Sequence, residues 1–163
     1  MATRPKKLTH VDAANRPRMV DVSAKPPTRR TAIAEAIVEF PEAAAKLLSS
    51  GGLRTNKGPV VETAIIAGVM AAKRTHELIP FCHPLALEDC QVRIEMRDAR
   101  QLRIECEVSV TGRTGVEMEA LTGASVAALT VYDMTKALSH GIVIRSTRLI
   151  EKTGGRKDYR ASR

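Results

Sequence analysis

Two stretches of this chain alternate strictly between apolar and polar residues. They are QVRIEMR, starting at Gln91, and QLRIECEVSV, starting at Gln101, with only DAR between them. Successive side chains of an extended strand point to opposite faces. Val92, Ile94 and Met96 therefore share one face, as do Leu102, Ile104, Cys106, Val108 and Val110. Joined by so short a turn, the two runs predict an antiparallel hairpin with one apolar face. That face has to be covered, and the rest of the chain offers mostly helical patterns to cover it.

The remaining elements follow from breakers and periodicity. Met19–Ser23, MVDVS, reads as a short strand ended by Pro26 and Pro27. Thr28 then caps a helix with the apolar stripe Ile33, Ile37 and Phe40. PEAAAKLL from Pro41 is a second helical piece, stopped by Gly51 and Gly52. LRTNKG is a polar loop, and a helix runs from about Val60 to His76. A long helix spans about Val116 to Ser139, stopped by Gly141, and IVIRSTRLI closes the domain as a strand. The order is β-α-β-β-α-β with extra helices in the first crossover. The expected fold is α+β and ferredoxin-like, a four-stranded antiparallel sheet with helices packed on one face. Residues 1–18 read as a loose basic arm, 19–155 as a single α+β domain, and 156–163 as a basic tail.

Charge and cysteine content narrow the function classes. The net charge of +8 is concentrated at the ends, with +6 in residues 1–30 and +4 in residues 152–163, against −2 between them. Such a distribution suits an anionic ligand gripped near the termini, a nucleic-acid contact, or solubilising tails. Nucleic-acid stacking needs aromatic side chains on the central strands, and the two alternating strands have none. No partner of that kind is expected. The longest apolar run, AIIAGVMAA from Ala64, falls well short of the roughly 20 residues needed to span a bilayer. Three cysteines, Cys82, Cys90 and Cys106, cannot all pair. With no secretion signal at the N-terminus, free thiols in the cytoplasm are the expectation.

Three stretches carry candidate chemistry. HELIPFCHPL places His76, Cys82 and His83 within eight positions. Cys82 and His83 are adjacent and point apart in extended chain, so neither a metal site nor a Cys–His nucleophile is expected. Pro80 and Pro84 instead make a stiff turn that presents His83 and backbone amides, or simply connects helix to strand. TGRTGVEMEA puts glycines ahead of a helix whose free amides favour anions. Its Glu117 and Glu119 either complement the helix dipole or accept hydrogen bonds from a base such as guanine. In YDMTKALSHG, Asp133 and Lys136 lie three apart and share a helix face. They form either a surface ion pair or an acid–base pair, and Lys57 in TNKG is a further loose cation.

Taken together, LTHVDAANRPRMVDVSAK, TNKG, AGVMAAKRTHELIPFCHPL, TGRTGVEMEALTGASVAALTVYDMTKA and EKTGG resemble the cyclic pyranopterin monophosphate synthase family, often called MoaC. The resemblance covers most of residues 8–155. It implies a hexamer assembled from dimers, with active sites at dimer interfaces. It implies 3′,8-cyclo-7,8-dihydro-GTP as the small-molecule substrate, with cyclic pyranopterin monophosphate and pyrophosphate as products in molybdenum cofactor biosynthesis. No cofactor and no metal are implied. By position, Asp133, Lys136 and Lys57 match the family's catalytic residues. Phe81, Cys82 and His83 match its substrate-contacting turn, and Met118 and Glu119 match contacts at the start of the long helix. Lys73 and Arg30 match basic positions that could meet phosphates. Three departures stand out. Pro59 follows K-G where the family usually has Asp, Thr135 precedes the catalytic lysine where it often has Cys, and the tail reads KTGGRKDYR. The proton work of such a reaction suits lysines with lowered pKa, which a convergence of Lys57, Lys73 and Lys136 would produce.

Overall fold

A computed structural model of the chain describes residue 14 and residues 16–162. Most of the arm expected over 1–18 lies outside the described residues. The hairpin forms as the alternation requires. Strand β4 (Asp89–Met96) pairs antiparallel with β5 (Gln101–Gly112), with Val92 opposite Cys106 and Ile94 opposite Ile104.

The segment expected as the first helix is instead the longest partner of that hairpin. Thr28–Glu39 forms β1, antiparallel to β5 along its whole length, with Ala34 opposite Cys106. Ile33, Ile37 and Phe40 do fall at helical spacing, but Ala32, Ala34, Ala36 and Val38 alternate on the helix-facing side and are fully buried. The other face carries Ile33, Glu35, Ile37 and Glu39. An interior strand with apolar residues on both faces loses the polar half of its alternation, so its period is masked. The strand expected over Met19–Ser23 does not form; that segment is irregular and ends in a turn.

After β1, helix α1 (Glu42–Ser50) ends at Gly51, as expected. The loop LRTNKG holds a minimal hairpin of β2 (Arg54–Thr55) and β3 (Gly58–Pro59), with Lys57 at its tip. Helix α2 (Val60–Lys73) stops at Arg74, and a single turn, α3 (Thr75–Leu78), completes the span expected as one helix. Helix α4 covers Glu117–Thr135, four residues short of the expected end at Ser139, with Lys136 as its C-cap. Strand β6 (Val143–Thr153) then pairs with the free side of β1, and β7 (Tyr159–Arg160) pairs with β6.

Among the described residues the main sheet therefore has five strands rather than four, all antiparallel, in the order β4-β5-β1-β6-β7. Helix α4 packs on β1, β5 and β6, while α2 lies against α4 and β4. The core is the layer between, built from Ala34, Ala36, Val38, Leu102, Ile104, Val108, Ala124, Ala128 and Val131, all fully buried. Alanine is its commonest residue, and two glycines at the α2–α4 contact bring the helices close. Gly68 of α2 and Gly123 of α4 face each other, and a Cβ on Gly123 would lie 2.6 Å from Cys106 Sγ and 3.2 Å from the Gly68 carbonyl oxygen. The opposite sheet face is a lattice of ion pairs. Glu35 receives Arg103 and Arg148, Glu39 receives Arg100 and Arg145, and Arg93 bridges Glu105 and Glu107.

Candidate active site

Both ends of α4 carry charged groups, and each end is completed by distant segments. At the C-terminal end, Asp133 is the hub. Its Oδ1 lies 2.7 Å from Lys136 Nζ and its Oδ2 lies 2.8 Å from Lys57 Nζ. Lys57 also donates to the Asp133 backbone carbonyl at 2.9 Å, which fixes the β2–β3 tip over the end of the helix. Hydrogen bonds from Lys136 and Lys57 hold the Asp133 carboxyl down to about 2, and Asp133 in turn raises the pKa of Lys136. All three side chains are about half exposed.

The departures at this end are accommodated. Pro59 closes β3 and stands immediately before α2, where a missing N–H costs nothing, and its carbonyl accepts from Thr63 Oγ1 at 2.6 Å. Lys57 reaches Asp133 without help from that position. Thr135 is fully buried and donates back to the Val131 carbonyl at 2.7 Å, so it points into the helix rather than toward the charged cluster.

The N-terminal end of α4 gathers the other expected residues. Phe81, Cys82 and His83 occupy the turn and extended segment after α3. His83 is fixed by a 2.9 Å hydrogen bond between Nε2 and the Val20 carbonyl, which ties the turn to the N-terminal segment. Cys82 lies near Glu119; burial, helped by that carboxylate, pushes the thiol upward. Glu119 is 4% exposed, and burial raises its carboxyl to about 7, with Glu117 adding to the rise. Met118 beside it is partly exposed. Lys73 closes α2, and α2 runs antiparallel to α4, so it belongs to this end too. It lies by Cys90, whose thiol is lowered first by contact with Cys106 and also by Lys73.

A cleft of about 190 Å³ opens beside this group. It is lined by Lys25, Arg30, Arg113, Lys152 and Arg156 together with Glu117. Lys152 is paired with Glu117 at 2.7 Å, and Arg30 donates through Nε to the Gly112 carbonyl at 3.1 Å. Among the described residues, Lys25, Arg113 and Arg156 form no ion pair. Gly154 makes the cleft possible: its φ is +80°, and a Cβ there would run into the Arg29 carbonyl oxygen. Four cations beyond Arg30 were missed by sequence reasoning. For Lys25, Lys152 and Arg156 the signal was present as charge at both termini, but nothing in the sequence says that β1 and β6 are neighbours and bring those termini together, or that Arg113 joins them. Arg113 also lines a second cleft with His83 and the Arg18–Ser23 segment, so the cation-lined cleft and the His83 turn adjoin. Among the described residues no three His, Cys, Asp or Glu side chains converge as a metal site.

The two ends do not meet within one chain. Glu119 and Asp133 are fourteen positions apart on one helix, which at 1.5 Å per residue is about 21 Å. Lys57, Asp133 and Lys136 come together, but Lys73 does not join them. The three-lysine convergence expected from the sequence is thus replaced by two lysines sharing one carboxylate. Lys136 has its pKa raised, not lowered.

The chain is thus an alanine-rich two-layer α+β domain with a Lys–Asp–Lys cluster at one end of its long helix and a cation-lined cleft at the other. The chain belongs to the MoaC family, whose model matches residues 19–155. It is 58% identical over 161 residues to a protein of Xanthomonas campestris pv. campestris (strain B100) named cyclic pyranopterin monophosphate synthase, covering 99% of this chain and 98% of that one. It is 51% identical over 158 residues to a protein of the same name from Parvibaculum lavamentivorans, covering 96% and 98%. It is also 49% identical over 155 residues to a molybdenum cofactor biosynthesis bifunctional protein of Synechocystis, covering 93% of this chain and 45% of that one.

Proposed function

We propose that this protein is a cyclic pyranopterin monophosphate synthase of molybdenum cofactor biosynthesis, a cytoplasmic phosphorus–oxygen lyase. It converts 3′,8-cyclo-7,8-dihydro-GTP to cyclic pyranopterin monophosphate and pyrophosphate. The observation that carries this reading is the Lys57–Asp133–Lys136 cluster. Three side chains from two segments of the fold meet at the positions that resemble the family's catalytic residues. Identities of 58% and 51% over nearly the whole length of proteins named cyclic pyranopterin monophosphate synthase support the same reading.

The residues divide the chemistry. Arg30, Arg113, Lys152 and Arg156 would hold the triphosphate and neutralise charge that develops on the leaving pyrophosphate. Glu119, neutral below about pH 7, can donate as well as accept a hydrogen bond toward the guanine-derived ring, with Cys82, His83, Phe81, Met118 and Lys73 around it. Lys136 and Lys57 move protons, with Asp133 orienting both ammonium groups.

A substrate of nucleotide size cannot touch groups about 21 Å apart in one chain. The reading therefore places the active site between protomers, with each end of α4 facing the opposite end of a neighbour's. A hexamer of three dimers follows from the family resemblance. Exposed apolar residues on the helices, Ile66 at 61%, Met70 at 49% and Leu129 at 56%, support association on that side. The strand order supports reading the four long strands as a ferredoxin-like split unit, with β7 added at its edge. The direct test is incubation with 3′,8-cyclo-7,8-dihydro-GTP. Release of pyrophosphate with formation of the cyclic phosphate is expected; an unchanged substrate would overturn the reading.

A further inference from the structure

The cationic surface does not end at the cleft beside His83. Lys152 and Arg156 also line a larger cleft of about 760 Å³, whose other charged residues are Arg148, Lys157 and Asp158. Strand β7 builds it. Tyr159 pairs with Lys152 and Arg160 with Glu151, and the Ala161 N–H donates to the Ile150 carbonyl at 2.8 Å. The basic tail is thereby folded back along β6 and held beside the phosphate cleft.

Most charges in this second cleft are already engaged. Arg148 donates to Glu35 at 3.1 Å, Lys152 pairs with Glu117 at 2.7 Å, and Asp158 Oδ1 accepts the Gly154 N–H at 3.1 Å. Arg156 and Lys157 are left without an acidic partner among the described residues. Their neighbouring acid, Asp158, lines the same cleft but takes a backbone N–H and forms no ion pair with either of them. Two cations without an ion-pair partner stand side by side, one of them shared with the phosphate cleft, and with Arg148 and Lys152 they leave the cleft with four positive charges against one negative, a continuous path for a compact polyanion.

We propose that the cleft under β7 is a pyrophosphate site, distinct from the one that holds the substrate triphosphate, and that it receives the leaving group. This rests on the synthase reading for the identity of the anion. In the ring closure, a substrate hydroxyl oxygen bonds to the phosphorus nearest the sugar and its proton passes to a base. The bond from that phosphorus to its bridging oxygen breaks, and the electron pair leaves on pyrophosphate. Arg156 and Lys152 touch both clefts, so the anion can be handed to Lys157 while still neutralised. That clears the first cleft for the next substrate and makes Lys157 a determinant of product release rather than of substrate binding.

The probe is inorganic pyrophosphate on the full-length protein, by calorimetry and by inhibition of turnover. Lys157→Glu and the milder Lys157→Gln are compared with wild type. Lys157 is exposed and forms no ion pair among the described residues, so both variants should melt with wild type. Pyrophosphate affinity should fall about fivefold in Lys157→Gln and about tenfold or more in Lys157→Glu, and more steeply at low salt. The substrate concentration for half-maximal rate should move less than about twofold. Equal pyrophosphate affinity in all three proteins would overturn the proposal. So would a parallel loss of substrate affinity, which would make this cleft part of the substrate site. Calorimetry needs no turnover, so failure here is distinguishable from failure of the synthase reading, which shows as an unreacted cyclic dihydro-GTP.

Discussion

Lys136 sits 2.7 Å from Asp133 and shares that carboxylate with Lys57. An ammonium with such a partner is held protonated, so in the resting protein Lys136 is an acid with a proton to give, not a base. Arginine keeps the ion pair but cannot release a proton near neutral pH. Lys136→Arg should therefore bind substrate within a few-fold of wild type and lose about 10²–10⁴ in single-turnover rate. A rate near wild type would move the proton work to Lys57. Glu119 gives a second residue-scale prediction. Its carboxyl is raised to about 7, so between about pH 4.5 and 7 the folded state binds a proton that the unfolded chain has released. That contribution to stability is present at low pH and lost as pH rises through 7. Glu119→Gln stays neutral at every pH and so keeps it, and the variant should gain a few degrees in melting temperature over wild type at pH 8 but not at pH 5. Parallel pH profiles for the two proteins would refute this. Asp133 and Lys136 were legible in the sequence because i, i+3 spacing on a helix forces them onto one face. Their link to Lys57 was not, since no local pattern says where a loop tip lands.

At the scale of elements, the hairpin β4–β5 was legible because one face is buried and the other carries charge, so the period of two survives in the sequence. Strand β1 was not, because Ala32, Ala34, Ala36 and Val38 pack under α4 while Ile37 is buried among the ion pairs of the other face. Alanine there also explains why a helix looked right: it is the strongest helix former, and only its place between β5 and β6 overrides that preference. The same small residues let α2 and α4 touch. A Cβ on Gly68 would lie 3.0 Å from the Gly123 carbonyl oxygen and 3.2 Å from both Ala127 and Val92. Those neighbours are backbone and buried side chain, with no room to give. Gly68→Val should cost about 1–3 kcal/mol through overpacking, read as a lower urea midpoint with unchanged slope. Since both ends of α4 are positioned by this contact, substrate affinity and turnover should fall together.

At the scale of the molecule, one long helix separates the cation-lined cleft from the Lys57–Asp133–Lys136 cluster, and under the proposed function that separation sets how many chains a working site needs. If one protomer supplies Lys57, Asp133 and Lys136 and its neighbour supplies Arg30, Arg113 and Glu119, then two inactive variants can repair each other. Lys136→Ala destroys one end of α4 and Arg30→Gln the other, each alone leaving every interface site defective. In a mixed dimer, the intact Lys136 of one chain meets the intact Arg30 of its neighbour at one site, while the second site carries both defects. Random reassortment of equal amounts makes half the dimers mixed, each with one working site of two. The mixture should therefore regain about a quarter of wild-type activity after co-refolding or co-expression, from partners that are nearly inactive apart. Activity of the mixture equal to the sum of the separate variants would mean that each chain works alone. The roughly 21 Å between Glu119 and Asp133 would then have to be closed by movement within one protomer, not by a neighbour.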